Sequence, residues 1–365
     1  MTRLAVLLAA ASLLLLPGSL RAAACSPLDC APSQFVLAHG TLLATRGSVQ
    51  SPLRVIDLRT GRTRWRLPPG IVQGQTLLHQ DGKLVTWYDA ATGARTGSAV
   101  DGQHATFELV GASQRATRAV LARTQRLSTT FVVLAKTGTS RTITLPGKVW
   151  SFDALSGRFL YLIQVVPDGY EVRLYDLAAN KLQPQPLKDP HEGALIEGAP
   201  FARASTPNGR YLFTLYVGSG TAMVHELDLA AGRAYCIDLP GYGDYAAAIT
   251  WTLVSDVDNS TVWAVSPGFG RVLAIDVQAH VVRFHYSFQR ADWLSNPGIG
   301  VQAPDGGHIA FTDGRHVWLA IPDLARVVAE PAHVATALAF APDQSALWVV
   351  GERSRVSRLT PLRWK

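Results

Sequence analysis

Charge, cysteine and long apolar runs are all scarce in this 365-residue chain, and each scarcity excludes something. Charged residues make up 17% against 48% hydrophobic, which excludes a generally disordered chain and leaves material for a large core. After residue 24 no apolar stretch is long and clean enough to span a bilayer, so the body is expected to be soluble. No helical window competes there either. The net charge of +7 is scattered, apart from a loose terminal group of Arg353, Arg355, Arg358, Arg363 and Lys365. A nucleic-acid binder needs a concentrated basic face with interleaved aromatics, so no nucleic-acid partner is expected.

Motifs of known chemistry are missing as well. None of the ten histidines falls in a metal-ligand spacing, so no metal site is expected. Gly218-Ser219-Gly220 is not a nucleophile elbow. Gly241-x-Gly243 and Gly268-x-Gly270 open no helix within a βαβ unit, so they read as turns rather than a dinucleotide site. Asp256-x-Asp258-Asn259-Ser260 starts like a calcium loop but lacks its glycine and distal glutamate, and reads as a hairpin turn.

What is present begins at the N-terminus. Met1-Thr2-Arg3 precedes the apolar run Leu4 to Leu16, a break at Pro17-Gly18-Ser19, and small residues at Ala22-Ala23-Ala24. Residues 1–24 are therefore expected to be a signal peptide, and the protein secreted or held in the cell envelope. Residues 25–34 form a tail with a cysteine pair, in which Cys25 and Cys30 are expected to join in a local disulfide. Cleavage before Cys25 also leaves a lipid anchor there as the alternative, although Ala22 and Arg21 suit a lipoprotein signal poorly. Cys236 is then an odd thiol in a strand-like stretch, read as a small buried hydrophobe.

The body, residues 35–365, repeats. An apolar strand ends in Asp, a short turn follows, and a second strand returns. Leu53 to Gly61 carries Asp57, Leu84 to Gly93 carries Asp89, and Phe131 to Gly138 has Lys136 in place of Asp. Val172 to Asn180, Val224 to Gly232 and Val272 to His280 carry Asp176, Asp228 and Asp276. Val317 to Ala325 and Val356 to Leu362 are degenerate copies. An Asp carboxylate can accept backbone N–H groups of the turn, so these aspartates read as structural. Between the copies lie further strand pairs with their own turns, as at Pro207-Asn208-Gly209, Pro304-Asp305-Gly306-Gly307 and Pro342-Asp343-Gln344-Ser345. Each repeat becomes three or four antiparallel strands in about 40 to 50 residues, the size of a propeller blade.

The Val-Ile-Asp unit resembles the YVTN type of bacterial β-propeller. Asp57-Leu58-Arg59-Thr60-Gly61 with Trp65 is similar to the repeat of pyrroloquinoline-quinone-type propellers, while the Gly-His and Trp-Asp landmarks of WD40 blades are absent. The resemblance implies an all-β chain forming a single β-propeller of four-stranded antiparallel blades. Eight copies are counted; the second is cramped, at 32 residues from Asp57 to Asp89, so seven or eight blades are expected. Closure is expected to pair N- and C-terminal strands. Quinone-dependent dehydrogenase activity lacks its calcium constellation and adjacent-cysteine pair, so no cofactor is expected. The propeller lipoproteins of outer-membrane assembly are a related resemblance that requires the lipid anchor.

The longest gap between aspartates, from Asp176 to Asp228, holds a proline-rich charged insertion around Asp189-Pro190-His191-Glu192. His191, Glu192, Glu197 and Arg203 are the candidate binding residues, against the plainer reading of a solvated loop. The aromatic stretch His285-Tyr286-Ser287-Phe288 with Trp293 is a second candidate, read chiefly as packing between blades. No catalytic residue is assigned. The expected role is a monomeric, exported, non-enzymatic binding or scaffolding propeller for a protein, peptide or glycan. The alternative is an extracellular hydrolase or lyase whose carboxylates or histidines converge at the channel mouth.

Overall fold

In the computed structural model the described residues are 34–359, apart from 48–49, 104, 219–220, 242, 292–298, 332–334 and 352–354. The signal peptide, the Cys25–Cys30 pair, Trp293 and the last six residues lie outside them.

Strand chemistry repeats with little variation along the chain. Each unit is an antiparallel meander, and the units span residues 34–67, 71–100, 108–146, 150–182, 199–239, 252–287, 300–331 and 335–359. Seven have four strands and the last has three among the described residues. The cramped second copy is a complete blade. It fits because Gly74 and Gly82, both at positive φ, close its first two hairpins tightly.

The first strands of successive blades approach one another, which places them around the axis of a ring. The middle strands are covered on both sides by neighbouring blades. They therefore read as continuous apolar runs: Tyr211–Val217 and Leu347–Gly351 are buried throughout. Outer strands face water. Val281–Ser287 fully buries only Tyr286.

The apolar cores lie between blades rather than within them. Eight clusters among the described residues each straddle two consecutive blades. One joins Leu43, Ile56 and Leu58 of blade 1 to Ala337, Ala339 and Trp348 of blade 8, and so closes the ring. Gln34 adds polar bonds beside this seam, accepting from the Leu338 N–H of blade 8 at 2.7 Å and donating to the Gly300 carbonyl of blade 7 at 2.9 Å. The described closure thus runs through side chains. The first described strand, Gln34–Leu37, belongs wholly to blade 1, so the expected mixed terminal blade is not among these residues.

The turn aspartates do what their position demands. Oδ1 of Asp57, Asp89, Asp176, Asp228 and Asp276 each accepts the N–H groups two and three residues on, at 2.8 to 3.1 Å. The left-handed residue that completes each turn is Gly61, Gly93, Asn180, Gly232 or His280. Blade 3 corrects the sequence alignment by one position. Lys136 donates its N–H to Thr117 as Leu177 does to Arg158 and Leu229 does to Arg210. Ala135 therefore stands where the other blades hold Asp, and Lys136 follows it. A single helical turn, Tyr245–Ala248, interrupts the pattern before blade 6, capped by Asp244. Among the described residues no helix is long and apolar enough to cross a membrane.

Candidate functional site

The turns joining first to second strands and those joining third to fourth strands share one face of the ring. On that face, between blades 2 and 5, opens a cleft of about 1020 Å³. Its walls come from the first turns of blades 3, 4 and 5, around Ser113–Arg118, Ser156–Phe159 and Ser205–Arg210. Four arginines stand in them: Arg115, Arg118, Arg158 and Arg210. Asp and Glu are absent from the walls among the described residues. Gln73 bridges blade 2 to Gln114 of blade 3 at 3.0 Å, and Gly209 packs against the same Gln114, so the rim is set by neighbouring blades.

Two of these arginines are tethered from outside. Arg158 reaches Asp176 at 3.3 Å and Arg210 reaches Asp228 at 2.8 Å. The carboxylates that hold them are the turn aspartates, whose other oxygen is already occupied by the backbone. Arg118 donates to the carbonyl of Gly157 and so bridges blades 3 and 4. Arg115 is exposed and has no carboxylate partner among the described residues.

Deeper along the axis, a smaller space of about 200 Å³ is lined by the inner strands of blades 1 to 5. Asp153 and Arg203 meet in its wall at 2.5 Å, with side chains 4% and 12% exposed. A bulge explains the aim of Asp153: the register slips between Phe152 and Ala154, leaving Asp153 out of the ladder. Burial pushes the Asp153 carboxyl up, and Arg203 opposes that shift. The pair is a blade-to-blade staple.

The candidate residues from the sequence are thus distributed. Arg203 sits in the channel wall. His191, Glu192 and Glu197 are exposed on the insertion, at the outer side of the ring. Much of that insertion serves as the outer edge of blade 4. After the short strand Lys181–Leu182, Leu187 bridges to Val172 and Ile196 bridges to Tyr170. Asp189 anchors the tip: Oδ1 accepts the N–H groups of His191 and Glu192, and Oδ2 accepts the N–H of Cys236 on blade 5 at 2.8 Å. Burial raises the Glu192 carboxyl, and Asp238 and Asp189 raise it further. Burial, with Asp189, Glu192 and Asp238 nearby, pushes the half-buried Cys236 thiol up to about 12.

Other singled-out segments resolve as structure. Asp258 accepts from Ser260 twice, and Asn259 takes the left-handed position while accepting the N–H of Asn208 in blade 5. Phe288 packs against Phe311 and Trp318 of blade 7, with ring centroids 6.0 and 5.2 Å away. One polar group escaped sequence reasoning altogether. Glu226 of blade 5 is wholly buried, meets His280 Nδ1 of blade 6 at 2.9 Å, and leaves Oε2 without a hydrogen-bond partner among the described residues.

No protein-family model matches the chain, and no curated protein matches it. Solved structures do. The Dos1 propeller superposes with a TM-score of 0.51 at 10% identity, over 90% of this chain and 93% of that one. The dihydro-heme d1 dehydrogenase NirN, in complex with DHE, gives 0.50 at 13% identity, over 82% of this chain and 66% of that one. BamB from Moraxella catarrhalis gives 0.48 at 15% identity, over 91% and 96%. At these identities the likeness is one of fold: the chain is an eight-bladed β-propeller.

Proposed function

We propose that this propeller is a non-enzymatic binding module whose ligand seats at the channel mouth formed by the first turns of blades 2 to 5. The observation that carries this reading is the cleft itself. At about 1020 Å³ it is far roomier than the channel space below it, it draws on consecutive blades, and its walls hold cations and turn backbone. The hydrolase alternative asks for carboxylates or histidines converging at that mouth. The groups that converge there are arginines. Asp153, the carboxylate in the wall of the smaller space, is committed to Arg203.

Export is part of the same reading and rests on Leu4 to Leu16 and Ala22-Ala23-Ala24. Recovery of the protein outside the cytoplasm with Cys25 as its first residue checks that placement.

Site-specific photo-crosslinking in the cells that make the protein tests the mouth. A benzophenone side chain is placed at Asn208, in the cleft wall, and separately at Leu127, which is 79% exposed on a turn at the opposite face. Adducts from Asn208 in excess over Leu127 support the reading. None from Asn208, or equal yields from both positions, overturns it.

A further inference from the structure

Charge compensation at the turn recurs in four blades of this ring, and blade 3 lacks its acidic half. In blades 1, 4, 5 and 6 the turn aspartate holds an arginine: Asp57 with Arg64 at 2.6 Å, Asp176 with Arg158 at 3.3 Å, Asp228 with Arg210 at 2.8 Å, and Asp276 with Arg283 at 3.4 Å. Blade 3 has Ala135 at that position. Its cations remain. Arg115, Arg118, Lys136 and Arg141 gather on this one blade, and among the described residues no carboxylate pairs with any of them.

The surface around them is concave. The mouth cleft adjoins two shallower depressions, about 460 Å³ toward blade 4 and about 540 Å³ toward blade 2. Arg118 lines all three, and among the described residues none of the three is lined by Asp or Glu. The cations are also held in place. Arg118 is half-buried and bonded to Gly157, and the stem of Lys136 lies across Gly97, where any side chain would collide with it. A preorganised guanidinium loses less freedom on meeting a carboxylate.

We infer that blade 3 and the adjoining mouth form a docking site for an acidic peptide segment, one that presents several Asp or Glu side chains to Arg115, Arg118 and Lys136. This deepens the mouth-binding reading and rests on it. Uncompensated cations in a cleft favour an anionic ligand, and carboxylates match guanidinium forks. Aromatic platforms decide among anions. Phe159 is the sole aromatic among the described lining residues, and Arg158 covers its ring at 4.8 Å. Bases and sugar rings stack on open aromatic faces, which these walls do not offer. A peptide needs none, and the Ser, Gly and Asn turns present main-chain groups to it.

The test uses the full chain and a fluorescein-labelled peptide of alternating Glu and Gly, acetylated and amidated, read by anisotropy. Its counterpart with Gln for Glu is the neutral control, and a sulfated glycan is the competitor. The Glu peptide is expected to bind and the Gln peptide not. Binding weakens about tenfold or more between roughly 0.05 and 0.5 M salt. The double variant Arg115→Gln, Lys136→Gln weakens it about tenfold, and adding Arg118→Gln removes it. Arg326→Gln, on the outer strand Arg326–Pro331 of blade 7, leaves binding unchanged. Circular-dichroism melting confirms that each variant folds, and the double variant carries the conclusion if the triple one melts early. Equal binding of the Gln peptide, an unaffected double variant, or displacement by the glycan at a tenth of the peptide concentration overturns the inference. If Asn208 still crosslinks a neutral ligand, the mouth reading survives that failure. If Asn208 yields nothing, both fall.

Discussion

The indole Nε1–H of Trp348, in the last blade, donates to the carbonyl of Leu58, in the first, across 2.6 Å. Tyr161 makes the same bond to Leu229 at 2.9 Å, and Trp65 to Ala90 at 3.2 Å. In each case the acceptor is the residue directly after a turn aspartate of the next blade. The bond therefore locks one blade onto the turn of its neighbour, and at Trp348 it locks the ring shut. Gly61 makes room for it: a Cβ there would come within 2.6 Å of the indole, at a φ of +68°. Trp348→Phe keeps most of the packing but orphans the carbonyl, and is expected to cost about 1–2 kcal/mol. Trp348→Ala is expected to cost about 3–5 kcal/mol. Urea unfolding of both variants measures this. A Trp348→Phe midpoint equal to that of the parent would show that the seam depends on packing alone.

The blades were legible from the sequence because their code is local. In five blades Asp, a left-handed Gly, Asn or His four residues on, and flanking apolar alternation all fall within one hairpin, and the degenerate copies keep the alternation, so the repeats could be counted along the chain. The alignment slipped at Lys136 because blade 3 lacks the aspartate that marks the position, and only the ladder shows Ala135 there. The mouth was not legible. Arg118, Arg158 and Arg210 lie far apart in the chain and meet only because ring closure stacks equivalent turns. The one available signal was a basic residue in the third repeat where an acid was expected. The insertion at Asp189 reads as a candidate binding loop because proline and charge mark exposed loops. Its Leu187 and Ile196 also edge blade 4, a structural task that leaves His191, Glu192 and Glu197 exposed.

Acid should loosen the blades from their turns. The Arg64 guanidinium lowers the Asp57 carboxyl, helped by the N–H groups of Arg59 and Thr60 and opposed by burial. The Ala279 and Gln278 N–H groups lower Asp276, again against burial. A carboxyl that titrates lower in the fold than in the unfolded chain, at about 3.9, stabilises above that pH. That contribution is lost as pH falls through the folded values. The share of stability from these turn aspartates is therefore expected to be constant above about pH 5, and thermal melting to fall steeply below about pH 4. Asp57→Asn retains the Oδ1 acceptor for the turn but not the titration, so its acid-induced loss is expected to be smaller. An identical acid profile for Asp57→Asn would assign the lability elsewhere.

Glu226 gives the opposite sign. Burial raises its carboxyl to about 9, and Asp228 and Asp276 add to the shift. His280, stacked flat on Tyr235 with centroids 3.5 Å apart, is lowered by the same burial. The pair is thus a neutral carboxyl beside a neutral imidazole. A group titrating higher in the fold stabilises below its unfolded value, and that contribution is lost as pH rises toward the folded value. Between about pH 5 and 9 the acid therefore weighs progressively against folding. Glu226→Gln mimics the neutral carboxyl and is expected to stabilise by about 1–3 kcal/mol near pH 7.5. The gain should shrink toward zero near pH 5. A gain that is equal at both values would mean that Glu226 is not held neutral.

Arg203 was singled out by the sequence as a binding residue, and its burial beside Asp153 makes a sharper expectation. Removing one partner of a buried pair strands the other charge, at a cost of about 3–5 kcal/mol. Arg203→Ala should therefore be strongly destabilised, because Asp153 is 4% exposed and its backbone is held at a bulge. Replacing both partners removes the stranded charge. Arg203→Met with Asp153→Leu fills the space with apolar groups and is expected to recover most of the loss. Chemical denaturation of the single and double variants separates the roles, and peptide anisotropy on the double variant completes the comparison. Recovered stability with unchanged peptide binding identifies Arg203 as a staple between blades 4 and 5. Recovered stability with lost binding would return Arg203 to the ligand site, with the anion reaching down the channel past Gln73 and Gln114.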